Sequence, residues 1–228
     1  VPTVFMVLLC HYHAVQLLIL PVLTCTAIFY AVCLVLRSTT LDFGRLSSFA
    51  LFSCVILLSF YSFVYLKYRL PRAEYSAEAI YFIVLILCYA WGGDTFAYFA
   101  GRFFGKHKLA PIVSPKKTVE GAIGGILGCV LLGEICTYVY QNIADKSDIF
   151  FHGVAPAFYL VVAVLGVIAA VLGILGDLFA SVVKRQHGIK DYGTIFPGHG
   201  GILDRFDSVL FVSLFVCMTV RYAFYFAA

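Results

Sequence analysis

Long apolar stretches separated by short polar segments dominate this chain. Six of them are about twenty residues long, and they cover residues 14–36, 46–66, 79–100, 121–141, 156–176 and 208–226. A helix needs ~20 mostly apolar residues to cross the hydrocarbon core of a bilayer. The pattern therefore predicts an all-α, polytopic transmembrane helical bundle with six clear spans. Residues 1–9 are predicted to be part of a further, N-terminal span.

The polar segments between these stretches are too short to hold a globular domain. They cover residues 37–45, 67–78, 101–120, 142–155 and 177–207. We therefore expect residues 1–228 to form a single membrane-embedded domain, in which 1–90 supply N-terminal helices and 91–210 carry the chemistry. Because the chain begins with Val1 instead of an initiator methionine, we also expect the natural N-terminus to be truncated.

The composition excludes a water-soluble domain. Apolar residues make up 62% of the chain and charged residues 12%, with a mean hydropathy of +0.98. A soluble domain has about 45–50% apolar and about 25% charged residues. The net charge of +4 is spread over the polar segments, so we expect no nucleic-acid partner. The eight cysteines form no CxxC pair and are expected to behave as small hydrophobic residues.

The distribution of Lys and Arg predicts the orientation. If the six spans alternate in direction, segments 37–45, 101–120 and 177–207 share one side and hold eleven Lys and Arg residues, against five on the other side. Translocation of such residues is disfavoured, so we expect these three segments to face the cytoplasm. A polar cavity between the helices is expected to open on that side, where nucleotides are found.

The first segment with candidate chemistry reads SPKKTVEG over residues 114–121, at the predicted start of a helix. Helix starts attract anions, and Ser114, Lys116, Lys117 and Thr118 would add donors there, which favours a phosphate-binding site. A membrane anchor with an ordinary helix cap is the alternative, and the spacing alone does not decide between them. The glycines that follow at positions 121, 124, 125 and 128 indicate close helix packing, without chemistry.

The second segment reads GDLFASVVKRQHGIKDYGTIFPGHGGILDRFDS over residues 176–208. At its start, Asp177, Ser181, Lys184 and Arg185 have the spacing of one helix face. At its end, Asp204 and Asp207 are three residues apart and share a face of the next helix. A tight glycine-rich turn at 197–201 is expected between the two groups.

Carboxylates from two helices that flank one loop suit a hard divalent cation such as Mg²⁺, whose coordination shell substrate phosphates would complete. The interleaved Lys and Arg would bind the remaining phosphate charge. A solvated, salt-bridged loop is the alternative, although charge against apolar helices is costly unless it is used. Asp94 lies inside a predicted span and could face the same cavity, and His199 could contact phosphate. Glu134 is expected to be a satisfied buried carboxyl.

Residues 90–210 resemble the phosphatidate cytidylyltransferase (CDP-diacylglycerol synthase) family. The downstream positions that match are Ser181, Lys184, Arg185, Lys190, Asp191, Gly193, Pro197, His199, Gly200, Gly201, Asp204, Arg205 and Asp207. The upstream ones are Asp94, Thr95, Ala97, Tyr98, Gly101, Arg102, Gly105, Lys106, Ser114, Pro115, Lys116, Lys117, Thr118, Glu120 and Gly121. Many bacterial members carry Glu where this chain has Ala180, so that side chain is not essential here.

The resemblance implies transfer of CMP from CTP to phosphatidate, with release of pyrophosphate, for phospholipid biosynthesis. It implies Mg²⁺ on Asp177 and Asp204, a second cation such as K⁺, and catalytic roles for Asp207 and Lys190. Lys184, Arg185, Lys190 and Arg205 would neutralise phosphate charge, while Ser181 and His199 would line the substrate site. The expected location is the bacterial cytoplasmic membrane, with lipid and CTP as partners and a homodimer left open.

Three alternatives stay open beside this hypothesis. A CTP-dependent polyprenol kinase and an archaeal ether-lipid cytidylyltransferase would use related chemistry on another lipid. A secondary transporter could use Asp94 and Glu134 as coupling carboxylates. Transporters commonly consist of related halves, and this sequence has no internal repeat.

Overall fold

The computed structural model describes residues 28, 30, 32, 35, 43–68, 77–143, 155–189, 191–193 and 200–227. These residues are mostly helical. The elements are α1 (Phe43–Tyr68), α2 (Ala77–Leu87), a π-helical turn (Cys88–Gly92), α3 (Gly93–Phe104), β1 (Lys108–Ala110), β2 (Ser114–Thr118), α4 (Val119–Ile143), α5 (Ala155–Gln186), α6 (Leu203–Phe206) and α7 (Val209–Ala227).

Among the described residues, four helical segments are long and apolar enough to cross a membrane. They are Ser47–Lys67, Glu78–Phe104, Val119–Ile143 and Ala157–Gln186, and they match the predicted spans 46–66, 79–100, 121–141 and 156–176. The predicted span 208–226 lies in α7, whose apolar part, Val209–Ala223, is shorter than the other four. The predicted spans 1–9 and 14–36 lie outside the described residues, except for the four helical positions between 28 and 35.

Two predicted boundaries differ from the structure. Helix α5 continues past the predicted end at 176 to Gln186, because residues 177–186 contain neither proline nor glycine to stop it. Segment 101–120 is not simply a loop, since β1 and β2 form an antiparallel hairpin in which Lys108 pairs with Thr118. Proline at 111 and 115 prevents helix there, so the chain turns back in an extended form. The predicted all-α class is therefore right except for this hairpin.

Helices α3 and α4 pack closely through the glycine positions of α4. A methyl group at Gly121 would lie 2.8 Å from the carbonyl oxygen of Ala97, and one at Gly125 would lie 3.1 Å from the Ala97 side chain. Gly124 and Gly128 are equally crowded by side chains of α3. The predicted packing role of these glycines is confirmed. This contact fixes α3, with its cavity-facing residues, against the start of α4.

Buried hydrogen bonds connect the remaining helices. The Tyr89 hydroxyl of the π-helical turn donates to the carbonyl of Val162 on α5 at 2.7 Å. The hydroxyls of Ser59 on α1 and Ser213 on α7 lie 2.8 Å apart. Glu134 was expected to be buried and satisfied, but it is only half-buried. No described residue forms a hydrogen bond or ion pair with it.

Candidate active site

A polar cavity of about 660 Å³ opens at one end of the bundle, where α3 and α5 end and α4 and α7 begin. Helix α3, strand β2, helix α5 and the segment leading into α7 each contribute charged side chains. The charged residues that line the cavity are Asp94, Arg102, Lys116, Lys117, Asp177, Asp204 and Asp207. The cavity therefore brings together both polar segments that the sequence singled out.

An ion pair joins the two polar segments. The ammonium group of Lys117, at the end of β2, contacts the Oδ2 atom of Asp177 on α5. Ser181, one helical turn after Asp177, donates a hydrogen bond to its Oδ1 at 3.3 Å. These contacts place segments 101–120 and 177–207 on the same side of the bundle, as the alternation of spans predicts.

Asp204 organises the backbone beside the cavity. Its Oδ1 accepts a hydrogen bond from the Lys184 ammonium at 2.8 Å, and its Oδ2 accepts from the backbone N–H groups of Tyr192 and Gly201 at 2.8 and 2.9 Å. Gly200 has a φ of 81° directly above this carboxylate, a conformation that favours glycine. Burial by itself would raise the pKa of Asp204, but the ammonium and the two N–H donors lower it below its ordinary value. Asp204 is therefore ionised.

Ser208 links the two other aspartates of the cavity. Its hydroxyl donates to Oδ2 of Asp94 at 2.8 Å, and its backbone N–H donates to Oδ1 of Asp207 at 2.9 Å. Burial, and then the negative charge of Asp177, raise the pKa of Asp207 to about 7. A cation bound beside Asp177 and Asp207 would reduce the repulsion between these two carboxylates.

The predicted phosphate-binding segment divides into residues that reach the cavity and residues that do not. Lys116, Lys117 and Thr118 line it, whereas Ser114 pairs with Ala110 inside the hairpin. The Thr118 hydroxyl accepts a hydrogen bond from the N–H of Gly121 at 3.1 Å. Thr118 therefore caps the start of helix α4, as the alternative to a phosphate-binding role predicts. Lys116 and Lys117 are the candidates for binding phosphate.

The remaining predicted residues lie further out. Arg185 is exposed on α5, directly after the buried Lys184. Arg205 lines an adjoining cavity of about 520 Å³ with Trp91 and Phe206, and this cavity shares Asp94, Asp204 and Asp207 with the first. The Trp91 ring N–H donates to the carbonyl of Arg205 at 2.9 Å. Lys190 and His199 lie outside the described residues.

Two cavity residues, Tyr98 and Arg102, were not among the predicted site residues. Arg102 donates a hydrogen bond from Nη1 to the Tyr98 hydroxyl at 3.0 Å, and both side chains line the cavity. Their signal in the sequence is spacing, because Asp94, Tyr98 and Arg102 follow each other at four-residue intervals on one helix face. Ser208 gave no comparable signal, since its partner Asp94 is remote in sequence.

A model of the cytidylyltransferase family matches residues 1–223. The chain belongs to this family. Three relatives are named phosphatidate cytidylyltransferase. The protein of Staphylococcus saprophyticus is 36% identical over 181 residues, which are 78% of this chain and 62% of the relative. The protein of Bacillus subtilis is 36% identical over 182 residues, which are 80% of this chain and 61% of the relative.

The protein of Thermotoga maritima is 35% identical over 166 residues, which are 73% of this chain and 55% of the relative. The chain therefore spans less than two thirds of the length of the curated relatives it matches. Membership of the cytidylyltransferase family confirms the resemblance found in the sequence. Together with the four apolar helices, it identifies the chain as an integral membrane protein.

The carboxylates of the cavity fit a hard cation only in part. The cavity offers oxygen ligands from four aspartates, the type that Mg²⁺ prefers. Within the described ranges, however, no three His, Cys, Asp or Glu side chains are grouped closely enough to hold a metal ion alone. The donor set therefore suits a cation that takes one or two protein carboxylates and completes its coordination with substrate phosphates.

Proposed function

We propose that this chain transfers CMP from CTP to phosphatidate, giving CDP-diacylglycerol and pyrophosphate. The observation that supports this most directly is the cavity at the end of the membrane bundle, where Arg102, Lys116 and Lys117 face Asp94, Asp177 and Asp207. Such a site offers cations for phosphate groups and carboxylates for a metal ion. The relatives named phosphatidate cytidylyltransferase supply the substrate class.

The reaction needs positioning more than acid–base chemistry. A phosphate oxygen of the lipid, already ionised near neutral pH, forms a bond to the α-phosphorus of CTP. The bond from that phosphorus to the bridging oxygen breaks, and pyrophosphate leaves with the electron pair. The barrier arises from bringing two polyanions together and from charge on the leaving group, so cationic side chains in fixed positions lower it. Lys116 and Lys117 would hold the triphosphate in this scheme.

Asp177 and Asp204 would hold Mg²⁺, with Asp207 beside them, and a second cation such as K⁺ stays a further expectation. When bound, the divalent ion supplies positive charge that neutralises the phosphates. The chain contributes the placement of its carboxylates. Lys117 and Ser181 orient Asp177, while Lys184 and two backbone N–H groups orient Asp204. These contacts keep both carboxylates fixed before substrate arrives.

The proposed site faces the cytoplasm of a bacterial cell. The excess of Lys and Arg on segments 101–120 and 177–207 supports this orientation, and both segments contribute to the cavity. A membrane-embedded site is useful for this reaction, because phosphatidate can keep its acyl chains in the leaflet while its head group meets a water-soluble nucleotide. A homodimer stays a prediction.

The test is a product assay on detergent-purified protein with dioleoyl phosphatidate and Mg²⁺. With CTP labelled at the α-phosphate, we expect label in the lipid phase, and with CTP labelled at the γ-phosphate we expect it in pyrophosphate. Label from the γ-phosphate in the lipid would indicate a kinase and contradict the proposal. Activity should disappear with excess EDTA and return with Mg²⁺, since no three His, Cys, Asp or Glu side chains among the described residues are grouped to hold the ion without substrate. Full activity in EDTA would argue against any divalent ion.

A further inference from the structure

Helix α3 has two unlike faces beside the cavity. One face lines the cavity with Asp94, Tyr98 and Arg102. The other face exposes large aromatic rings, since Phe99 is 50% exposed and Phe103 is 71% exposed. The last turns of α3 thus separate the polar cavity from an apolar surface. These turns are at the end of a candidate membrane span, which ends at Phe104.

Arg102 differs from Lys117 and Lys184 in its partners, and it differs from Lys116 in its position, since Lys116 lies on strand β2 and Arg102 on helix α3. Lys117 is paired with Asp177, and Lys184 is paired with Asp204. No carboxylate among the described residues forms an ion pair with Arg102, whose one hydrogen bond goes to the neutral hydroxyl of Tyr98. A guanidinium group has five N–H donors. Most of the donors of Arg102 therefore stay available to an anion in the cavity.

The position of Arg102 distinguishes between the two anions that the reaction needs. Lys116 and Lys117 are on strand β2 of the hairpin. Arg102 is on the helix that carries the exposed aromatic rings, and Tyr98, 59% exposed, lies one turn before it. Aromatic side chains are enriched where a membrane helix meets water. A lipid whose acyl chains lie against Phe99 and Phe103 would have its head group at the level of Arg102.

We propose that Arg102 binds the phosphate of the acceptor lipid, at the edge of the cavity that faces the bilayer. This assignment rests on the proposed function and adds the residue that recognises the lipid. A guanidinium can hold two oxygens of a terminal phosphate at once, which leaves the third free to react. The hydrogen bond to Tyr98 restrains the guanidinium, and both side chains line the cavity. Lysine could not reproduce the two-oxygen contact.

The main test compares the kinetics of Arg102→Gln and wild type in mixed micelles. Loss of a charged hydrogen-bonding partner should raise the KM for dioleoyl phosphatidate on the order of 10- to 100-fold. The KM for CTP should change less than about twofold, because CTP phosphates are assigned to the hairpin lysines. Lys108→Gln removes an exposed charge from β1, outside the cavity, and should leave both KM values unchanged. A rise in the KM for CTP, or no change in either KM, would overturn the assignment.

A binding measurement without CTP separates this inference from the proposed function. Labelled dioleoyl phosphatidate should bind wild type more tightly than Arg102→Gln by the same factor, while dioleoyl phosphatidylcholine should bind both equally. If wild type makes no CDP-diacylglycerol but this difference persists, only the proposed reaction is wrong. Equal binding of phosphatidate by both proteins would remove the role of Arg102. Equal thermal unfolding midpoints would show that both proteins are folded.

The aromatic surface gives an independent test of the source of the phosphate. Phe99→Ser with Phe103→Ser should raise the KM for dioleoyl phosphatidate but not for dihexanoyl phosphatidate, whose short chains do not need the surface. Arg102→Gln should raise the KM for both lipids. Glycerol 3-phosphate has the same phosphate without acyl chains, and it should compete only weakly. Strong competition by glycerol 3-phosphate would indicate a site for free phosphate esters instead of a lipid site.

Discussion

The bundle has two very different cavities, which lie at opposite ends of helix α5. At one end, Asp94, Asp177 and Asp207 surround the polar cavity. At the other end, α2, α5 and α7 enclose an apolar space of about 280 Å³, lined by residues such as Tyr81 and Phe158. The polar cavity is lined by aspartates that repel each other, whereas aromatic rings that pack together line the apolar cavity. The candidate active site and the aromatic packing that stabilises the fold therefore lie at opposite ends of the bundle.

The contacts at each end explain this division. At the apolar end the rings of Tyr81 and Tyr140 stack with centroids 4.4 Å apart, and the Tyr81 hydroxyl lies 2.9 Å from that of Thr137. At the polar end, the ion pairs formed between described residues hold two of the four aspartates of the cavity, Asp177 and Asp204. Substitutions at the polar end should therefore reduce turnover more than stability. Substitutions at the apolar end should do the reverse.

The largest effect is expected for Asp177→Asn. Loss of this charge should lower kcat roughly 100- to 1,000-fold, the size typical of losing one electrostatic contact to a transition state. The unfolding midpoint should change little, because the loss of the Lys117 ion pair is offset by less repulsion from Asp94 and Asp207. Initial rates and thermal unfolding in the same detergent measure both quantities. Near-normal turnover would remove Asp177 from the site.

Asp204→Asn is the informative comparison for that variant. Turnover should fall as strongly, but the protein should also become less stable, since Asp204 accepts the N–H groups of Tyr192 and Gly201 and pairs with Lys184. A loss of stability equal to that of Asp177→Asn would contradict the organising role of Asp204.

The second effect concerns the apolar end. Phe158 is 7% exposed and belongs to the aromatic core, so Phe158→Ala should lower the free energy of unfolding by about 3–5 kcal/mol. The kcat of the folded fraction should stay within about twofold of wild type, because no catalytic group is near. Denaturant unfolding together with active-site titration would measure the two effects separately. A large fall in kcat per folded molecule would show that the ends are coupled.

Hydrophobic patterning predicted the helices well, because a bilayer demands long apolar segments and lipid-facing residues need no partner. The patterning failed at α5, where the chain leaves the apolar region before the helix ends at Gln186. It also failed at the hairpin, since Lys108–Ala110 and Ser114–Thr118 are too short to give a clear alternation. In both places backbone hydrogen bonding continues where the apolar pattern has stopped.

The candidate site shows a second limit. Spacing grouped Asp177 with Ser181 correctly, because they lie on one helix. Spacing could not pair Lys117 with Asp177 or Ser208 with Asp94, because these contacts depend on how distant helices pack. Arg102 was visible in the sequence as one of many matched residues. Its proposed role follows from two features of the structure: no carboxylate in the described part of the chain pairs with it, and it lies on the helix that exposes Phe99 and Phe103.

The smallest effect is expected at Ser208. This residue is fully buried, like the residues of the apolar core, but it also contacts an aspartate of the candidate site. Ser208→Ala removes the hydrogen bond to Asp94 but keeps the backbone N–H that Asp207 accepts. Stability should fall by about 1 kcal/mol, the usual value of one hydrogen bond. Turnover should fall roughly tenfold, because Asp94 would lose its orientation.

Ser213→Ala is the matched control for this variant. Ser213 is the same residue type and equally buried, and it lies on α7, which begins directly after Ser208. Its hydroxyl pairs with Ser59 on α1, and it does not line the cavity. Its substitution should lower stability by a similar amount, about 1 kcal/mol, and leave kcat unchanged. If both serine variants lose turnover equally, their effect comes from general loosening of α7. If only Ser208→Ala loses turnover, the orientation of Asp94 is what the reaction requires.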